Sequence, residues 1–424
     1  MQFRQDSEQM LDFINKSPSP YHVIDNIRQE LIGAGFFELH ENEKWQLEFK
    51  KSYFVVRNDS SIIAFTTGEE NVHGFNIVAA HSDSPCFKIK NNPENLSAGQ
   101  YITLNTEKYG GMIMSAWLDR PLSVAGRIIT DKNGELTTHL VNVDQDLLII
   151  PNLAIHMNRE INKGYEYNPA KDMMPLFATH TDEKDCFIRM IASVAGVEET
   201  DILGTDLFLY NRMKGTFLGL DGEFIASPKL DDLQCVYSAI TALKSSEPSL
   251  HINMCCVFDN EEVGSRSIQG ADSDFMSVVT ERIYSALGYE REDYLRALSD
   301  SFIISADNAH GVHPNHPQMA DNSNKPYLNG GIVIKSNGEM RYTTDAYSQA
   351  KMMSICKKAN VPYQTYANRS DIPGGSTLGN IAVSHVSVRC VDIGLAQLSM
   401  HSSYETAGVK DTSYMIQTIR EFYK

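Results

Sequence analysis

At 424 residues, 42% hydrophobic and 21% charged, the chain has the composition of a soluble globular protein, with material for about two or three domains. Its 54 acidic and 37 basic side chains give a net charge of −17, which argues against a general nucleic-acid surface or an anionic-membrane binder but leaves room for a local cationic pocket. The start, Met1-Gln2-Phe3-Arg4, lacks a signal peptide's apolar core, and no apolar run reaches membrane-span length. Seven cysteines without a Cys-x-x-Cys read as reduced, mostly buried thiols of a cytoplasmic protein rather than a thiolate zinc site.

In chain order, residues 5 to 35 read as helical, broken at Ser17-Pro18-Ser19-Pro20, with Leu11, Ile14, Val23, Ile24, Ile27, Leu31 and Ile32 on one face. Strand patterns follow at 52–56, 61–65 and 75–80, the last ending in His81-Ser82-Asp83-Ser84-Pro85. Residues 92–219 change texture to short β-like runs with a hairpin turn at Asp131-Lys132-Asn133-Gly134, and read as a β-rich domain inserted into the first. The two remaining pieces, 1–91 and 220–424, then form one discontinuous domain. Ser227-Pro228-Lys229-Leu230-Asp231-Asp232 leads into a helix over 234–243, with both aspartates at its amino end.

The strand His251–Phe258 ends in Asp259-Asn260-Glu261-Glu262-Val263-Gly264-Ser265. Cys255 and Cys256, adjacent within it, should point to opposite faces. A helical stretch near 274–298 precedes a third apolar strand, Ser301–Ala306, ending at Asp307. Gly330–Lys335, a helix over 345–360, the loop Asp371–Gly379, a strand near 385–391 and Met400-His401-Ser402 complete the reading. The glycine-rich loop lacks a P-loop's spacing and lysine, and reads as a turn lining a pocket.

A parallel sheet would gather the ends at His81, Glu261-Glu262 and Asp307 on one edge, and Asp231 and His401 can join them. Two imidazoles and several carboxylates suit zinc, cobalt or manganese. One glutamate can ligate while the other acts as general base, so the inferred chemistry is metal-assisted hydrolysis, with an amide as the expected substrate bond. Each piece alone also has an ordinary structural reading. His156 reads as structural, Lys335 as solvated, and Asp231-Asp232 as a helix cap.

Taken together, His81-Ser82-Asp83-Ser84-Pro85, Leu153-Ala154-Ile155-His156, Leu230-Asp231-Asp232-Leu233, Asp259–Ser265, Ser305–His310, Gly374-Gly375-Ser376-Thr377 and Met400-His401-Ser402 resemble the aspartyl aminopeptidases, a family of cytosolic dinuclear metallo-aminopeptidases. The resemblance implies an α/β fold: a mixed sheet flanked by helices, with the β-rich insertion serving dimerisation. It implies two divalent ions, most often zinc, with cobalt or manganese as alternatives. His81, Asp231 and Asp307 would hold one ion, and Asp231, Glu262 and His401 the other. Glu261 would be the general base, Asp83 would orient His81, and Asp232 would fix the turn at Asp231.

Further implications are removal of amino-terminal Asp or Glu from peptides, a pocket lined by Lys335, Tyr342, Gly375, Ser376 and Thr377, and dimers building a tetrahedral dodecamer. His156 would reach into a neighbouring subunit's site. The chain departs from the family pattern at Tyr404, where arginine is usual, and at Gly374-Gly375, where Cys-Gly is usual. These departures keep open a dinuclear aminopeptidase of broader or neutral specificity. A non-catalytic assembly protein of the same fold is a further alternative.

Overall fold

The computed structural model describes residues 2–179 and 184–424. Four parallel strands form the centre of a 13-stranded mixed sheet: β1 (Gly74–His81), β2 (His251–Phe258), β3 (Phe302–Ala306) and β4 (Arg389–Leu398), in the spatial order β2-β1-β3-β4. Ser61–Thr66 runs antiparallel beside β2, and Ser52–Arg57 lies beyond it. On the far side Ile332–Ser336 pairs antiparallel with β4.

Side chains alternate across these strands as a pleat requires. Val78, Ala80, Cys255 and Val257 enter one apolar core, built with the helices Gln2–Lys16, Pro20–Gly33, Leu230–Lys244, Ala346–Ala359 and Asp411–Phe422. Ile77, Ala79, Met254 and Cys256 enter the other, beneath Phe275–Ala286, Arg291–Asp300 and Leu378–His385. The two adjacent cysteines thus face opposite ways, as the strand pattern predicts. Each fully buried large apolar side chain contributes about 1.5–3 kcal/mol, so the two layers fix the four strand ends firmly. Among the described residues no helix is long and apolar enough to cross a membrane.

Two expectations need correction. The stretch near 274–298 is two helices, parted by a turn in which Gly288 takes φ +88°. The strand expected near 385–391 starts at Arg389 and extends to Leu398, while Leu378–His385 is helical. Leu378 and Ala382, one turn apart, pack into the core, and that spacing outweighs the β-branched Ile381 and Val383. The helix Asp411–Phe422, not assigned from the sequence, buries Met415, Ile416, Ile419 and Phe422 on one face.

A second, six-stranded antiparallel sheet runs Glu135–Asn142, Leu122–Lys132, Ile202–Asn211, Cys86–Ser97, Tyr101–Tyr109 and Leu176–Thr179. Its strand Cys86–Ser97 spans the boundary expected at residue 92. The sheet has its own core around Phe87, Leu104, Trp117, Val124, Leu207 and Phe187. The turn joining Leu122–Lys132 to Glu135–Asn142 falls at Asn133-Gly134, both with positive φ, as a tight hairpin demands.

Candidate active site

Because β1, β2 and β3 are parallel neighbours, their carboxyl ends lie together. His81 is the last residue of β1 and sits opposite Phe258, the last of β2. Asp307 follows β3 directly, and His401 lies three residues past β4. Gly394 on β4 makes room for this arrangement: a Cβ there would lie 2.0 Å from the Asp307 carbonyl oxygen. Asp231 and Asp232 do not cap a regular helix. Their dihedrals are non-helical, and the peptide bond between them is cis.

The geometry around Asp231 is the centre of the site. Its Oδ1 stands 3.6 Å from His81 Nε2, and its Oδ2 stands 3.5 Å from His401 Nε2. Glu262 Oε2 is 3.4 Å from that same His401 nitrogen. These spacings are long for hydrogen bonds. They match two donors sharing one tetrahedral ion with bonds of about 2.1 Å, which stand about 3.4 Å apart. Two sets of candidate ligands meet at Asp231. In His81, Asp231, Asp232 and Asp307 the donor atoms all lie within 4.8 Å of one another, and so do those of Asp231, Glu262 and His401. Asp231 Oδ1, Asp232 Oδ1 and Glu262 Oε1 are buried without a hydrogen-bond donor, as ligand oxygens facing a cation would be. The residues therefore fit divalent metal.

Two further carboxylates hold these groups in place. Asp83 accepts from the backbone N–H groups of Glu261 and Glu262, each at 3.1 Å, and from the Tyr109 hydroxyl at 2.7 Å. Its Oδ1 lies 3.4 Å from His81 Nδ1. Glu405 accepts from the N–H of Asp231 at 3.1 Å and from that of His401 at 2.8 Å. Asp232 Oδ2 accepts from the His81 N–H at 3.2 Å. The sequence reading missed Glu405 and Tyr109. Tyr109 meets Asp83 across 26 residues; Glu405 lies only four residues from His401, but its second partner, Asp231, is 174 residues away.

With this geometry established, comparison with known proteins decides the class. The model of the family described as aminopeptidase I zinc metalloprotease (M18) matches residues 13–423. The chain belongs to the M18 family of zinc metallo-aminopeptidases. It is 46% identical to a probable M18 family aminopeptidase 2 of Clostridium acetobutylicum, over 98% of each chain. Among solved structures it resembles Ape4 in the Ape4 and Nbr1 complex, with TM-score 0.95, 35% identity, and coverage of 100% of this chain and 86% of that one. It also resembles the S. cerevesiae mApe1 dodecamer, with TM-score 0.88, 27% identity, and coverage of 100% and 97%.

In this M18 aminopeptidase the electrostatics favour a cation. Burial pushes Glu261 up to about 8, with Asp307, Asp83 and Asp231 adding to the rise and His81 opposing it. Burial also drives Glu262 and Asp232 well above the usual carboxylate range. Asp231 goes the other way: burial opposes, but His401 and His81 together hold it well below that range. Burial alone would depress His81, yet Asp231 and Asp83 carry it well above its ordinary value. So many acids crowded around two imidazoles are relieved by positive charge, which a bound metal supplies.

Beside the cluster lies a cavity of about 110 Å³, lined by Lys335, Tyr342, Tyr366, Gly375, Ser376 and Thr377 among others. Lys335 is 2% exposed, so its reading as a solvated lysine is overturned. Its ammonium donates to the carbonyls of Asp307 at 2.7 Å and Asn308 at 3.2 Å, and lies 5.3 Å from the Tyr342 ring centroid. Thr377 donates its hydroxyl proton to Asp392 at 2.6 Å, anchoring the loop. His156 is not brought to the site by its own chain. It lies on an exposed loop, where Leu153, Ile155 and Met157 are 52%, 48% and 73% exposed.

Proposed function

We propose that this M18 enzyme is a dinuclear aminopeptidase that removes amino-terminal Asp or Glu from peptides. The observation that carries the reading is Asp231, which offers one oxygen toward each of two imidazoles. In this reading His81, Asp231 and Asp307 hold one ion, and Asp231, Glu262 and His401 hold the other. Zinc is the expected metal, with cobalt or manganese able to replace it. When bound, the ions supply Lewis-acid polarisation of the scissile carbonyl and acidify water.

Glu261 takes the proton of the attacking water and passes it to the leaving amine. Asp83 holds the Glu261–Glu262 turn and fixes the His81 ring, and Asp232 steadies the turn at Asp231. Lys335 presents an ammonium to the acidic side chain of the substrate, a charge-assisted contact beside Tyr342. Gly375, Ser376 and Thr377 close the pocket wall.

The reading includes a homo-oligomer, with the dodecamer of the similar mApe1 as the expected form. His156 of one subunit then reaches its neighbour's site, which accounts for apolar side chains being exposed on its loop. The buried thiols of Cys235, Cys255, Cys256, Cys356 and Cys390 suit a reducing cytoplasm.

A second reading, a broader or neutral specificity, rests on the Lys335 ammonium, which already spends two protons on backbone carbonyls. Cleavage of Asp-, Glu-, Leu- and Ala-aminoacyl chromogenic amides by the zinc-loaded protein separates the two. Fast release from Asp and Glu supports the acidic pocket. A preference for Leu or Ala removes it and keeps the dinuclear site.

A further inference from the structure

The segment 109–113, which leaves the last residue of a strand in the second sheet, touches three parts of the metal cluster. Tyr109 Oη donates to Asp83 Oδ2 at 2.7 Å and accepts from Asn260 Nδ2 at 2.9 Å. Asn260 has a left-handed backbone, φ +62°, and immediately precedes Glu261. The single hydroxyl thus bonds the carboxylate that holds the Glu261 and Glu262 N–H groups, and also the residue that opens their turn. Gly110, at φ +78°, lies so close to Glu262 that an added Cβ would stand 3.1 Å from the Glu262 Cβ and 3.3 Å from its carbonyl oxygen. The Ile113 N–H donates to the His401 carbonyl at 3.0 Å. One strap from the second sheet therefore contacts Asp83, Glu262 and His401 together.

We infer that this strap belongs to the positioning machinery of the site, with Tyr109 as a positioning residue that sets Glu261 and Glu262 through Asp83 and Asn260. The second sheet then has a task at the site in its own chain, apart from any role in assembly. The inference rests on the ligand assignment proposed above. Groups that orient metal ligands and their carboxylates typically change metal affinity or turnover by about 10–100-fold when removed. Tyr109→Phe keeps the ring, which packs edge-on against Phe208 at 5.6 Å, and deletes only the hydroxyl.

The test compares Tyr109→Phe and Gly110→Ala with the wild type. Thr130→Val serves as a control, removing a hydrogen bond to His139 within the same sheet, away from the site. Zinc affinity is read by competition with a chromogenic chelator, kcat and KM with the amide the wild type cleaves fastest, and mass by light scattering. Tyr109→Phe is expected to lower kcat about 10–100-fold and to weaken zinc binding about 10-fold, with KM within about twofold of wild type. Gly110→Ala should weaken zinc by pressing on Glu262, and Thr130→Val should change neither.

Wild-type kcat and zinc affinity in Tyr109→Phe overturn the inference. So does an equal loss in Thr130→Val, or a loss that appears only with dissociation of the assembly. The zinc titration needs no substrate. A wild type that binds no zinc sinks the ligand assignment, whereas a wild type and a Tyr109→Phe that bind zinc equally sink the strap alone.

Discussion

The two sheets break opposite rules of burial. At the carboxyl ends of β1, β2 and β3 the large sheet buries Asp83, Asp231, Asp232, Glu262 and Asp307 almost completely. The six-stranded sheet and its loops leave Leu96, Leu153, Ile155, Met157 and Leu203 in solvent. Buried like charges are costly without an opposite charge, and clustered exposed apolar side chains mark a surface that meets another. The first violation calls for a cation and the second for a partner protein, so the same chain advertises a site and an interface in different currencies.

The largest test of the first half is Glu261. Replacing it with Gln should lower kcat by about 10²–10⁴-fold, the usual weight of a general base. Zinc content should not change. If zinc is lost along with activity, Glu261 is a ligand and the division of labour between the two glutamates is reversed. Next is the metal itself. Stripping it with a chelator should abolish turnover and destabilise the fold, by about 4 kcal/mol relative to protein held at zinc a thousandfold above its dissociation constant. Identical melting with and without zinc would leave the buried acids without their compensating charge.

Lys335→Met should lower kcat/KM for Asp and Glu substrates by roughly 10–100-fold, the worth of one charged hydrogen bond, and leave Leu and Ala substrates nearly unchanged. Because the ammonium also lies 3.6 Å from Asp307 Oδ1, zinc affinity must be measured alongside. A uniform loss across all substrates, with weaker zinc, assigns Lys335 to support of Asp307 instead of to the pocket.

The residues of the site also mark how far the sequence could be read. His81, Glu261 and Asp307 each lie at or just past the end of a mostly apolar strand of eight, eight and five residues respectively, a local signal that a parallel sheet turns into a common edge. Lys335 sits within such a run, Ile332–Ser336, and looks like any strand lysine until Asp307 and Asn308 are placed beside it. Their roles came from resemblance, since each residue alone admitted a plain structural reading. Tyr109 was invisible because it acts through a carboxylate distant in sequence, and Glu405 because it acts on backbone N–H groups, one of them 174 residues away, which no side-chain motif reveals. The strand expected near 385–391 begins four residues late, at Arg389, and the helix Leu378–His385 before it has no clear local signal: Ile381, Val383 and Val386 suit either element, and only the packing of Leu378 and Ala382 decides.

Between the two regions lies His22, in the first turn of the helix Pro20–Gly33. Burial lowers its pKa to about 4, with Lys229 adding to the effect. The unfolded chain takes up this proton near pH 6.5, the folded chain only near 4. Stability is therefore complete above pH 6.5 and falls as pH drops toward 4, by up to about 3 kcal/mol. His22→Gln, which can keep a bond to Ser19, should flatten that part of the curve in chemical unfolding across pH 4 to 7. An unchanged slope would mean that the imidazole is solvated.

The smallest effect on the chain itself tests the second half of the comparison. Leu153→Asp and Met157→Asp replace exposed side chains, so the stability of the isolated fold should move by no more than about 0.5 kcal/mol. If the loop meets a second copy, the same changes bury a charge at that contact, and light scattering should show the assembly falling apart at a protein concentration where the wild type holds together. Turnover should fall with it, since His156 rides on the same loop. A variant that keeps both its mass and its activity would leave these apolar side chains as ordinary surface and return His156 to the plain structural reading its sequence first suggested.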